Sequence, residues 1–157
     1  MNIFYLDEDV KKCAEYHYDK HVIKMITESA QILSTALHEN GLSEYAPYKI
    51  THKNHPSTKW ASKSYSNFKW LCDLGIALYD EYKFRYDNKT HLAGEKIKQI
   101  IDSNVKFNDN GFTSPPSVMP EEFKITNDSV INYRNYYING KSYLKNYKKR
   151  DVPMWMK

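Results

Sequence analysis

Residues 10–41 read VKKCAEYHYDKHVIKMITESAQILSTALHENG, and this stretch decides the fold class. Val22, Met25, Ile26, Ser29, Ile32, Leu33, Ala36 and Leu37 recur at steps of three and four, the period of one helical face. Asn40-Gly41 supplies a left-handed stop, and Asp7 or Asp9 can cap the start. The spacing predicts one long helix from about Val10 to His38. Upstream of it, Asn2 to Leu6 is expected as a short strand or an extended arm.

Downstream, Pro56 suits a first helical turn, and a second long helix is expected from there to about Tyr86. Trp60, Ser64, Phe68, Leu71, Gly75, Leu78 and Tyr82 would share its inner face. A shorter helix is expected over His91 to Ser103, with Leu92, Ile97, Ile100 and Ile101 inward. Residues 104–127 carry Gly111, Pro115, Pro116 and Pro120, and read as a long irregular connection that packs on the body or carries function. A last helix runs from about Ser129 to Ile138 and stops at Asn139-Gly140. The expected fold is all-α: one domain over 1–157, with three main helices, a short C-terminal helix and an extended N-terminal arm.

A chain of 157 residues with 41% hydrophobic residues can bury one real core. The mean hydropathy of −0.76 reflects its many Lys, Asn and Tyr residues. No apolar run is long enough to span a membrane, and the start MNIFYLDEDV lacks the pattern of a secretory signal, so an intracellular location is expected. Cys13 and Cys72 form no CxxC pair and are expected as buried thiols. The formal charge is only +4, but residues 133–157 hold seven Lys or Arg, one Asp and six aromatics. This segment is either a grip for an anionic partner or a solvated end whose tyrosines pack inward.

At 100° per residue, His17, Lys24, Glu28, Gln31 and Thr35 fall in a narrow band on the first helix, with His21 beside them. The band flanks the apolar face. Two imidazoles, an amine, a carboxylate and an amide in one row suit binding and transforming a polar ligand; the bland alternative is a solvated face with one Lys24–Glu28 ion pair. His17 and His21 also have the spacing of a zinc pair, which His52 and His55 could complete. But HYDKH lacks the glutamate of HExxH, and Lys20 and Lys24 would repel a cation. No Walker loop, GxGxxG or GxSxG is present. His55 precedes a helix start, where backbone N–H groups favour either a phosphate or an ordinary cap.

Four pieces now stand in a familiar order. They are the arm MNIFYLD followed by Ala14-Glu15-Tyr16-His17; the turn Asn54-His55-Pro56 leading to Phe68, Leu71, Glu81 and Arg85-Tyr86; the run Pro120-Glu121-Glu122-Phe123-Lys124; and Tyr133-Arg134-Asn135-Tyr136-Tyr137 followed by Gly140-Lys141. Together they span most of the chain, though each is short. The chain resembles the pyrimidine-dimer DNA glycosylase/AP lyase family of the T-even phages, the endonuclease V family. The resemblance implies double-stranded DNA as partner, no metal or other cofactor, and a phage-type protein working inside a bacterial host. It also implies a terminal α-amine that attacks the sugar C1′, forms a Schiff base and ejects the base, after which the strand is cut by β-elimination. An α-amine, ionising near 8, suits this role.

Carried over by position, the resemblance implies His17 as a DNA contact and Glu28 as the supporting glutamate. Direct alignment through His17 would instead put Lys24 there. The family's nucleophile is a Thr exposed by loss of Met1; here Asn2 is too large for ordinary removal, so the amine belongs to Met1, or Lys24 replaces it. Lys20 and Lys24 stand nearest to the family's first-helix arginines. The expected catalytic group is therefore Met1, Asn2, Lys24 and Glu28. His17, Lys20, His21, Gln31 and His55 would contact DNA or nucleotide, and Tyr136, Tyr137, Lys141, Lys148 and Lys149 would flank it. Two further readings stay open: a non-catalytic protein holding a small or cyclic nucleotide in the stripe, and a metal-dependent hydrolase using His17, His21, His52 and His55.

Overall fold

A computed structural model describes all residues, 1–157. It contains six α-helices and no strand: α1 Val10–Glu15, α2 Asp19–Glu39, α3 Pro56–Lys63, α4 Tyr65–Arg85, α5 Leu92–Asp102 and α6 Ser129–Gly140. The caps follow the sequence. Asp9 accepts from Lys12 N at the start of α1. His55 Nδ1 accepts from Ser57 N, with Pro56 in the first turn of α3. Gly41, at φ +73°, turns the chain after α2. No helix is long and apolar enough to cross a membrane.

Each of the two long helices expected from periodicity is broken in two. The first breaks at residues 16–18. Arg85, fully buried at the end of α4, donates to Glu15 O at 2.9 Å, His17 O at 2.8 Å and Asp19 Oδ1 at 3.0 Å. The carbonyls left open where α1 ends are thus satisfied by a side chain instead of by another helical turn. The second breaks at Ser64, which is extended (φ −147°, ψ 136°). Its Oγ lies 2.8 Å from Asp109 Oδ1 and 2.7 Å from Gly111 O, in the long connection. Asp109 also accepts from Ser66 N, which caps α4. Hydrogen bonds from Ser66 and Ser64 hold the Asp109 carboxyl down to about 2.

α2 packs on α3 and α4, α1 lies on α4, and α5 crosses both α2 and α4. The N-terminal segment is an arm, not a strand. Ile3, Phe4, Tyr5 and Leu6 are all buried in the shared core. Burial of each such side chain stabilises the fold by about 1.5–3 kcal/mol. Side chains replace sheet partners along its backbone: Arg134 Nε donates to Leu6 O at 2.8 Å and Cys13 Sγ to Phe4 O at 3.2 Å. Cys13 and Cys72 are free, buried thiols, both pushed up to about 12 by burial. Leu92, expected inward, is 70% exposed, because α5 begins at that residue, outside the packed interface.

Candidate active site

Glu28 sits in the third turn of α2, where the arm ends against it. Its Oε1 lies 3.3 Å from the Met1 amine nitrogen and accepts from Asn2 N at 3.1 Å. Its Oε2 lies 3.8 Å from Lys24 Nζ. The Glu28 side chain is 13% exposed and that of Lys24 70%, so the carboxylate is sheltered and the lysine reaches outward.

Residue 2 is clamped from the opposite side. Asn2 Nδ2 donates to Val118 O at 3.0 Å, and its Oδ1 accepts from the Tyr133 hydroxyl at 2.8 Å. Tyr133 lies in α6 and Val118 in the long connection, whose packing role is thereby explained. Asn2 thus holds the terminal amine at the carboxylate, a positioning task its amide suits because it can donate and accept at once.

A cleft of about 450 Å³ opens at this point, lined by Met1, Ile23, Lys24, Thr27, Glu28, Gln31, His52 and His91. It joins Met1, Lys24, Glu28 and Gln31 of the expected site. His55 stands nearby: burial first, then the Met1 amine and His52, lower its pKa. The sequence reading missed Ile23, Thr27 and His91. His91 precedes α5, and its Nε2 donates to Ile23 O at 3.1 Å. Its contact with α2 spans 68 positions, and no local pattern announces it.

The other half of the stripe is closed. His21 is 4% exposed and His17 fully buried. Phe4 of the arm stacks on the His21 ring at 4.3 Å, and the Tyr137 hydroxyl lies 2.6 Å from His21 Nδ1. His17 lies ahead of α2, in the break, and its Nδ1 donates to Cys13 O at 2.6 Å. The arm runs along the stripe, putting residues 1 and 2 at Glu28 and residue 4 over His21. Both histidines are therefore core residues here, a correction to their reading as DNA contacts. Tyr137 is also buried, stacked on Tyr18 at 4.1 Å. Tyr136 is half-buried against Phe123, with Lys141 Nζ 5.4 Å from its ring, and Lys20 is exposed.

No group of three or more His, Cys, Asp or Glu is gathered to hold a metal ion. The histidine set of a metal hydrolase is split between core and cleft. The basic C-terminal segment is stapled to the body. Lys149 Nζ lies 2.9 Å from Asp87, Arg134 pairs with Asp7 at 3.0 Å and Arg150 with Glu81 at 2.9 Å, while Lys148 lies over the Tyr86 ring.

Burial lowers His17 to about 4; burial, then the neighbouring His17, lowers His21 to about 3. An unfolded chain takes up these protons near 6.5, while the folded one refuses them. Their contribution is full above about 6.5 and drains as the pH falls towards 4 and 3. Each histidine should cost about 2 kcal/mol by about pH 5. Urea unfolding at a series of pH values checks this: stability should fall steadily from pH 6.5 downwards, and His21→Phe should flatten the decline. An unchanged midpoint between pH 7 and 5 would contradict buried, neutral histidines.

A family model for pyrimidine dimer DNA glycosylases matches residues 1–93. No curated protein matches the chain, and no solved structure does. The matched stretch holds the arm, α1 to α4 and every residue lining the cleft. With the terminal amine held against a sheltered carboxylate and a family match over more than half its length, the chain belongs to the pyrimidine dimer DNA glycosylase family.

Proposed function

We propose that the protein excises damaged pyrimidines from double-stranded DNA through a Schiff base on the Met1 amine, with Glu28 as its acid–base. The observation that carries this reading is the 3.3 Å approach of the amine to Glu28 at the mouth of the cleft. The amine lone pair attacks C1′ of the damaged nucleotide. The glycosidic bond breaks, and the base leaves with the bonding electrons and takes a proton from solvent. Glu28 takes a proton from the amine and returns one to O4′ as the sugar ring opens, leaving an imine between nitrogen and C1′. Loss of a C2′ proton then expels the 3′ phosphate. Lys24 and Gln31, which line the same cleft, hold the strand beside the opened sugar.

Borohydride tests this directly. Incubation with duplex carrying an abasic site or a pyrimidine dimer should leave a covalent complex, because the reagent reduces the imine to a stable amine. Peptide mapping should find the adduct on residue 1. A glycine inserted before Met1 moves the amine off Glu28 and should abolish trapping. An adduct on Lys24 would transfer the nucleophile to that side chain. No adduct from either substrate, with the Met1 amine verified as free, would leave the cleft as a nucleotide-binding site without catalysis.

A further inference from the structure

A second groove, of about 340 Å³, lies beyond the turn that borders the amine cleft. His52 lines the cleft, and Lys53, the next residue, lines the groove. Asn40, Asn54, Lys59 and Lys63 complete most of its wall, which has no hydrophobic residue. Lys59 and Lys63 are one helical turn apart on α3, so their Cβ atoms lie about 5–6 Å apart. Asn40 Nδ2 donates to Ser62 O at 3.1 Å, fixing the end of α2 against α3. Glu39 is the one carboxylate of the wall, against three lysines. None of the three ammonium groups forms an ion pair with any carboxylate of the protein. In the C-terminal segment, by contrast, Arg134, Lys149 and Arg150 are each neutralised by a carboxylate.

We propose that the groove of Lys53, Lys59 and Lys63 carries the sugar-phosphate backbone of the DNA whose damaged nucleotide enters the amine cleft. The proposal rests on the reading of DNA as substrate and adds where the duplex lies. Free ammonium groups in an open polar groove match phosphates. A groove without an aromatic or apolar floor offers nothing on which bases would stack. His52 and Lys53 are consecutive in the chain and line the cleft and the groove respectively, so one turn separates the backbone site from the cleft. Ammonium–phosphate pairing of this kind positions a duplex without reading its sequence.

The test is anisotropy with fluorescent duplex DNA, intact and abasic, over a range of salt concentrations. In K53A/K59A/K63A the slope of log affinity against log salt should fall by about 0.9 for each phosphate no longer neutralised, or about 3 for the three lysines together. Affinity for both duplexes should drop in parallel, roughly 10-fold or more at low salt. K53R/K59R/K63R should keep the wild-type slope, which separates charge from folding. K148A/K149A should change the slope by less than about 1. Borohydride trapping at saturating abasic DNA should survive in K53A/K59A/K63A. A wild-type slope in that variant, with trapping intact, overturns the groove and leaves the amine chemistry standing. Wild-type protein that binds duplex with the expected slope but traps nothing overturns the chemistry and leaves the groove. Wild-type protein that binds no duplex at about 50 mM salt overturns both.

Discussion

Glu28→Gln should lower the single-turnover rate on abasic duplex about 100- to 10,000-fold, the range for loss of a positioned acid–base group. Glutamine has nearly the same shape and still accepts from Asn2 N, whose bond now measures 3.1 Å. The arm should stay in place, because Asn2 remains tied to Val118 and Tyr133. Only proton uptake and the negative charge beside the amine are removed. DNA affinity should change by far less than turnover, since the carboxylate acts as bonds rearrange. The measurement is a rapid-mixing time course with enzyme in excess, alongside anisotropy for binding. Equal losses in rate and affinity would make Glu28 an anchor for the arm instead. A rate near wild type would remove it from the chemistry.

Arg85→Met should destabilise the fold by about 3–5 kcal/mol, the cost of breaking a buried ion pair from one side. The guanidinium is fully buried, 2.7 Å from Glu81 Oε2 and 3.0 Å from Asp19 Oδ1. Burial alone would raise Glu81; hydrogen bonds from Arg150 and Arg85 override it and hold the carboxyl below its usual range. Methionine leaves Asp19 and two backbone carbonyls without this donor, whereas Glu81 keeps Arg150. The Asp19 carboxylate retains only the bond from Lys148 N. The corner between α1 and α2 should loosen first, and the melting temperature should fall by about 10 °C or more. Adding Glu81→Leu to Arg85→Met should cost less than the sum of the two single changes, because they share one network. A variant within about 1 kcal/mol of wild type would mean that packing, not this network, holds the corner.

Local order determined much of this protein. The step of three and four from Val22 to Leu37 specified an amphipathic α2, and Asp9, Pro56 and Gly41 marked helix ends through capping and turn chemistry that acts over a few residues. The stripe Lys24, Glu28, Gln31 was legible for the same reason, and its open end is the cleft. What only the tertiary structure decided depends on residues far apart in the chain. Periodicity carried straight through residues 16–18, because the side chain that ends α1 belongs to Arg85, 68 positions beyond His17. It carried through Ser64 because the competing partners are Asp109 and Gly111. Helical phase put His21 in line with Glu28 and could not tell that Phe4 would cover one and Met1 the other. Counting charges made residues 133–157 basic, yet Asp7, Glu15, Glu81 and Asp87 from distant segments neutralise three of those cations. A helical pattern reports which side chains share a face; what covers that face is set by residues that the chain brings together only on folding.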